Sequence, residues 1–95
     1  MAAYVIAEVN VTNPDLFAEY RKLAPATIEK YGGRFIVRGG AVDTKEGGWS
    51  PARLVLIEFP SMDQARGWYH SVEYAGPLAM RLKAADTKLV LVEGV

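Results

Sequence analysis

Three segments of this chain have the character of strands, and their side chains are apolar on both faces. Residues 4–9, 53–59 and 88–93 are short and rich in β-branched and aliphatic residues. Successive side chains of a strand point to opposite faces. One of the two resulting sets is entirely apolar and is expected to contact the helices: Val5, Ala7, Val9, Val55, Ile57, Phe59, Val90 and Val92.

The opposite set is also mostly apolar. It comprises Tyr4, Ile6, Glu8, Leu54, Leu56, Glu58, Leu89, Leu91 and Glu93. Burying a large apolar side chain contributes about 1.5–3 kcal/mol, so burying the apolar members of this set contributes on the order of 10 kcal/mol. Monomeric proteins rarely expose an apolar patch of this size. We therefore expect a homodimer whose two sheets pack together about a twofold axis. The alternative is a monomer whose second face is covered or binds a ligand.

The predicted elements follow the order β-α-β-β-α-β. A helix is expected from an Asn13 cap to about residue 31, a strand at 34–38, and a second helical region that begins at a capping box of Ser61 and Gln64. This order is that of ferredoxin-like folds, in which a four-stranded antiparallel sheet carries its helices on one face. The predicted fold class is therefore α+β, as one domain over residues 1–95.

The first helix carries two local expectations. Pro25 has no amide to donate to the carbonyl of Arg21, which predicts a kink or a restart near Ala24. Gly32 and Gly33 are expected to end the helix in the left-handed conformation.

Composition and charge exclude several classes of function. Eleven basic and eleven acidic residues cancel, which argues against nucleic acid as a partner. Cysteine is absent, and one histidine cannot form a multi-histidine metal site within a subunit, so we expect no metal. We also expect no cofactor, with haem on His70 as the weaker alternative. No segment is long enough to span a membrane, and the N-terminus lacks the basic region of a signal peptide, so we expect a cytoplasmic protein.

Four sequence blocks resemble the small proteins grouped as domain of unknown function 1330 (DUF1330), in the dimeric α/β-barrel superfamily. They are YGGRFIVRGG at 31–40, EGGWSPAR at 46–53, IEFPS at 57–61 and ARGWYHSVEY at 65–74. The resemblance implies a ferredoxin-like fold paired face to face, but no activity. Related branches include cofactor-free monooxygenases, muconolactone isomerase-like enzymes, haem-binding dismutases and ligand-sensing domains. The family usually has Asp or Asn where Gly48 stands and Pro where Val72 stands.

Glu8 and Glu58 are a candidate catalytic pair. If the first and third strands lie side by side and parallel, both carboxylates point into the space between the sheets, and Arg34 approaches Glu58. Two carboxylates beside a cation can serve acid–base chemistry or carboxylate binding. The alternative is that they form structural ion pairs.

Arg38 and Arg53 flank a loop, residues 39–52, that contains Trp49. Two guanidinium groups beside an indole can clamp a small carboxylate or phosphate. In the alternative, Glu46 and the arginines hold the loop, and Trp49 covers the barrel edge or the partner.

His70 is the only side chain whose ordinary pKa lies near neutrality, which makes it a candidate general base. Trp68 and Tyr74 lie close to it in sequence and are candidate ligand contacts. A single histidine at a helix end is, however, more often exposed and without a role.

These residues favour a homodimeric, cofactor-independent enzyme or binder of a small carboxylate or aromatic acid. The pocket is expected between helices and sheet or at the dimer seam. The alternative is a noncatalytic ligand-binding or structural interaction dimer. A cavity with convergent Arg, Glu and Tyr groups would favour the enzyme, whereas groups satisfied by one another would favour the interaction dimer.

Overall fold

Four strands form one antiparallel sheet in the computed structural model, which describes residues 1–95. The strands are β1 (Ala3–Val11), β2 (Arg34–Arg38), β3 (Leu54–Phe59) and β4 (Ala85–Glu93), and the helices are α1 (Pro14–Lys30), α2 (Met62–Tyr69) and α3 (Val72–Ala84). The strand order across the sheet is β2-β3-β1-β4. The predicted α+β, ferredoxin-like class is confirmed.

β1 and β3 are neighbours but run antiparallel, so the prediction that they run parallel is wrong. Tyr4 is opposite Glu58, and Glu8 is opposite Leu54. The α1 connection makes β2 parallel to β1, and β3 reverses direction after β2, so β3 opposes both. Glu8 and Glu58 are consequently four positions apart along the sheet, about 13 Å at 3.3 Å per residue.

The core lies between the helices and one face of the sheet, here called the helix face. It includes Val5, Ala7, Val9, Val55, Ile57, Phe59, Leu89 and Leu91. The other face, here called the open face, carries Tyr4, Ile6, Glu8, Val37, Leu54, Leu56, Glu58, Val90 and Val92.

The predicted faces of the β4 residues are wrong: Leu89, Leu91 and Glu93 share the helix face, and Val90 and Val92 lie on the open face. Leu91 is opposite Val5, and Val90 is opposite Ile6. Because the leucines and valines of β4 are all apolar, their alternation alone does not show which pair faces the core.

α1 runs through Pro25 without interruption, so the expected restart is wrong. Asn13 caps the helix by accepting a hydrogen bond from the Leu16 amide at 3.2 Å, as predicted. Pro25 leaves the carbonyl of Arg21 without its helical donor. The Arg38 guanidinium supplies one, since its Nη2 donates to that carbonyl at 3.2 Å.

The two glycines after α1 differ in role. Gly32 has a φ of +82°, as expected for a left-handed helix end, but Gly33 does not have a positive φ. A Cβ on Gly33 would lie 2.5 Å from the Phe59 ring. Gly33 is therefore required by close packing against β3 and not by handedness.

Glu73, in the first turn of α3, joins that helix to the end of α1. It pairs with Lys30 and accepts a hydrogen bond from the Tyr31 hydroxyl at 2.8 Å. The hydrogen bond from Lys30, with the bond from Tyr31, lowers the pKa of Glu73 to about 2.

None of the three helices is long and apolar enough to cross a membrane.

Because the pKa of Glu73 is lower in the folded chain than its ordinary value of 4.5, the ionised carboxylate stabilises the fold at pH values above 4.5. This stabilisation is lost as the pH falls toward about 2. Glu73→Gln should therefore lower the free energy of unfolding at neutral pH, and the difference from wild type should shrink below pH 4.5. Urea denaturation across this range measures it, with Glu19→Gln, at the exposed pair with Lys22, as control. A difference that does not change with pH would contradict the assignment.

Candidate functional site

A cavity of about 40 Å³ lies between the helix face of the sheet and the helices. Sixteen residues line it, twelve of them hydrophobic. The remaining four are all arginines: Arg21, Arg38, Arg53 and Arg81.

A β-bulge in β2 brings Arg38 to this cavity. Phe35 is opposite Ile57, but the register shifts so that Val37 is opposite Leu56 and Arg38 is opposite Val55. In a regular strand, Arg34 and Arg38 would lie on the same face. The extra residue turns Arg38 onto the helix face, and its guanidinium lies 4.4 Å from the centre of the Phe35 ring.

Arg53 immediately precedes β3 and reaches the same opening. Its guanidinium lies 5.7 Å from the centre of the Phe17 ring. A Cβ on Gly39, which has a φ of +73°, would lie 2.5 Å from Arg53 Nη1. Gly39 therefore provides both the turn and the space that this guanidinium occupies.

The arginines divide into two groups by their partners. Of the six in the chain, Arg34 and Arg66 pair with Glu58 and Asp63, at 2.8 and 3.8 Å. None of the four cavity arginines has a carboxylate within ion-pair distance. The cavity is thus a concentration of positive charge in a chain that is neutral overall.

Arg53 is the least satisfied of these groups. Its Nε is buried and has no hydrogen-bond partner. Burial, followed by the charges of Arg21 and Arg38, lowers the pKa of Arg53. An arginine remains protonated at neutral pH, so an anion at this opening would meet several positive charges and an unused donor.

Two tyrosines and Arg81 lie at the inner end of the cavity. The hydroxyls of Tyr20 and Tyr74 are 2.7 Å apart, and Arg81 Nε donates to the Tyr74 hydroxyl at 3.3 Å. Arg81 is only 4% exposed. Burial, followed by the neighbouring Tyr74, raises the pKa of Tyr20, so this phenol is neutral at physiological pH.

Four of the residues predicted for a site line this cavity: Arg38, Arg53, Trp68 and Tyr74. Trp68 is fully buried, with its ring centre 4.2 Å from that of Tyr74. Its indole donates to the Thr27 hydroxyl at 3.1 Å. Trp68 therefore forms part of the wall and has no free polar group.

Trp49 lies on the opposite side of the sheet from the two arginines. Its indole donates to Glu8 Oε2 at 3.0 Å on the open face. The expected clamp of Arg38 and Arg53 around Trp49 is thus wrong, because the loop crosses to the other face. Glu46 forms no ion pair with either arginine.

Glu58 and Arg34 do meet on the open face, as predicted. Arg34 Nη2 is 2.8 Å from Glu58 Oε1, and the Tyr4 hydroxyl donates to Oε2 at 3.3 Å. The antiparallel register keeps Glu8 at the far end of the sheet, so the expected carboxylate pair is not assembled. The catalytic roles of both glutamates stay predictions without support from their neighbours.

His70 is exposed at the end of α2. Its ring packs edge-on against Tyr69, with centres 5.2 Å apart, and it does not line the cavity. Its role as a base stays a prediction. The chain contains no cluster of three His, Cys, Asp or Glu side chains that could hold a metal ion.

Arg21 and Arg81 were missed as candidates, although the sequence contains a signal for them. Arg21 follows Phe17 by four positions, and Arg81 follows Tyr74 by seven and Pro77 by four, so both arginines fall on the apolar stripe of a helix. A charged residue at such a position marks either a buried ion pair or a site.

A model of the family described as "Domain of unknown function (DUF1330)" matches residues 2–95. The chain belongs to the DUF1330 family. This confirms the resemblance noted in the four sequence blocks. A search of curated proteins found no match.

Solved structures resemble this DUF1330 chain throughout its length. A Rhodopseudomonas palustris protein of unknown function, RPA0582, has a TM-score of 0.71 at 17% identity, covering 99% of this chain and 82% of that one. SnoaB, a cofactor-independent oxygenase from Streptomyces nogalater, has 0.68 at 9%, covering 99% and 93%. A dimeric ferredoxin-like protein from Thermobifida fusca has 0.59 at 14%, covering 99% and 92%. At these identities the likeness establishes the fold.

The contact between Arg38 and the carbonyl freed by Pro25 predicts an energetic coupling. Arg38→Met should lower the free energy of unfolding by about 0.5–1 kcal/mol through the lost hydrogen bond. In a Pro25→Ala background the cost should be smaller, because the backbone amide restored at position 25 then satisfies the carbonyl. A double-mutant cycle by urea denaturation measures the coupling. Equal costs of Arg38→Met in both backgrounds would show that the contact contributes nothing.

Proposed function

We propose that this DUF1330 protein binds a small carboxylate in the cavity, with its anionic head between Arg38 and Arg53. The observation that carries the proposal is the division of the arginines. The two outside the cavity have acidic partners, and the four that line it have none. Guanidinium groups form paired hydrogen bonds with carboxylates, so such a ligand supplies the missing partner.

The size of the cavity favours an aliphatic over an aromatic acid. Its volume of about 40 Å³ is room for about three water molecules. A cavity that takes up benzene measures about 150 Å³. An acid of a few carbons enters with its apolar chain against the hydrophobic lining, whereas an aromatic ring must first displace side chains.

The lining residues favour binding over catalysis. They contain no carboxylate and no histidine, and the two phenols among them, Tyr20 and Tyr74, are hydrogen-bonded to each other, with burial raising the pKa of Tyr20. The similarity to SnoaB, described as a cofactor-independent oxygenase, supports a small-molecule site in this fold without defining a reaction. The unpaired arginines count against an interaction dimer in which these groups serve only packing.

Calorimetric titration with propionate, butyrate and benzoate tests the site. Butyrate should bind wild type more tightly than benzoate, and Arg53→Met should weaken butyrate binding at least tenfold because one charged donor is lost. Arg66→Met, which removes an arginine paired with Asp63, is the matched control and should leave binding unchanged. If both variants weaken butyrate binding equally, the loss reflects the net charge of the protein and not a contact at Arg53. If Arg53→Met does not weaken binding, the proposed site is wrong.

We also propose that two chains pair through the open face. This face carries seven partly or largely exposed apolar side chains, including Ile6, Leu56 and Val90, and no helix covers it. A second copy offers the same apolar surface, and a twofold axis places the two in contact. The Thermobifida fusca neighbour is described as dimeric, which supports this arrangement.

Leu56→Lys should convert the dimer to a monomer, because it buries two charges at the centre of the proposed interface. Light scattering should give twice the chain mass of 10.4 kDa for wild type and the single mass for the variant. Leu23→Lys, at an exposed leucine of α1, is the control and should remain dimeric. A wild-type protein of single mass at micromolar concentration would rule out the pairing.

A further inference from the structure

We infer that the opening of this cavity binds a doubly charged phosphoryl head more tightly than it binds a carboxylate, because Arg21 adds a third guanidinium there. The ligand class is a short alkyl phosphomonoester. The inference rests on the proposed function, since it keeps the apolar chain in the same cavity and changes only the acidic head at the same arginines.

Arg21 reaches the opening from α1, and its side chain is exposed there. The Arg38 guanidinium donates to the backbone carbonyl of Arg21 at 3.2 Å, which places the two residues side by side. Burial lowers the pKa of Arg53 most, and the charge of Arg21 comes next, ahead of that of Arg38. The three guanidinium groups therefore act on one region, although they come from three separate segments of the chain.

The opening has more positive charge than one carboxylate can balance. No acidic side chain lies within ion-pair distance of these three arginines, and Glu19, the acid nearest to Arg21 in sequence, pairs with Lys22 at 3.2 Å. A bound anion is attracted to them in proportion to its own charge. A carboxylate carries one negative charge, whereas a phosphomonoester carries about 1.5 to 2 at neutral pH.

The hydrogen-bond donors at the opening also suit a tetrahedral head. Arg53 Nε has no partner, and Arg38 uses only Nη2 on the carbonyl of Arg21. A carboxylate has two oxygens, and paired hydrogen bonds with two guanidinium groups occupy both of them. A phosphomonoester has three terminal oxygens, so the third is free to accept from Arg21.

The interior of the cavity limits the rest of the ligand. Its volume of about 40 Å³ is room for about three water molecules, which corresponds to a chain of about three carbons. The head stays outside this volume, at the exposed arginines. Tyr20 and Tyr74 are hydrogen-bonded to each other at 2.7 Å, so the inner end of the ligand needs no polar group.

Calorimetric titration with three acids that share a propyl chain tests this inference: butyrate, propyl sulfate and propyl phosphate. Propyl sulfate has the shape and the three terminal oxygens of propyl phosphate but only one negative charge, so it separates charge from shape. Wild type should bind propyl phosphate at least tenfold more tightly than butyrate, with propyl sulfate between them, because the second charge interacts with all three guanidinium groups.

Arg21→Met removes the third guanidinium, and the preference for propyl phosphate over butyrate should then fall below threefold. Lys22→Met is the matched control, since it removes a positive charge at the next position of α1 from a residue that pairs with Glu19. This control should keep the preference. Urea denaturation should show that both variants fold, because both side chains are exposed.

Loss of the preference in Arg21→Met alone supports the inference. Equal binding of propyl phosphate and propyl sulfate by wild type, a preference kept in Arg21→Met, or one lost equally in Lys22→Met overturns it. If butyrate binds through Arg53 and propyl phosphate gains nothing, only this inference fails. If propyl phosphate binds and butyrate does not, the carboxylate proposal fails and the phosphoryl site stands. If none of the acids binds, both fail.

Discussion

The β-bulge between Phe35 and Val37 decides where the arginines of this protein lie. Without it, Arg38 would share the open face with Arg34, and the cavity would lose a guanidinium at its opening. With it, Arg34 pairs with Glu58 on one face, while Arg38 reaches the carbonyl of Arg21 on the other. One inserted residue thus separates a structural ion pair from a candidate binding site.

The position of Pro25 fits the same arrangement. A proline inside a helix normally costs stability, because a carbonyl one turn earlier loses its donor. Here Arg38 donates to that carbonyl, so the defect in α1 helps to hold a guanidinium at the cavity. Buried cations without acidic partners likewise lower stability. Features that lower stability are tolerated where a site needs them.

The sequence predicted the elements and the fold well, because caps and strand patterns are local. The Asn13 cap forms as expected, and Ser61 caps α2 by accepting from the Gln64 amide. The reciprocal bond of the capping box does not form, because the Gln64 side chain accepts from the Ser61 hydroxyl and not from the Ser61 amide. The assignment of β4 to faces failed, because alternation carries no information when both faces are apolar. The pairing of Glu8 with Glu58 failed for another reason, since it depended on the direction of strands distant in sequence.

The site was predicted only in part. Arg38 and Arg53 were identified by their place beside the loop, but the bulge that directs Arg38 has no local signal in RFIVR. Arg81 could be identified as a cavity residue only from the structure, which shows that it lines the cavity and that it has no carboxylate partner. The absence of partners is a tertiary property, and a search for catalytic residue types passes over it.

The side-chain nitrogen NMR spectrum of the arginines during titration with butyrate tests most directly whether the unpaired guanidinium groups form an anion site. The Nε–H signals of Arg38 and Arg53 should shift with a common saturation, while those of Arg34 and Arg66, which already have acidic partners, should stay in place. Equal shifts of all arginines, or shifts confined to Arg34 and Arg66, would contradict the account.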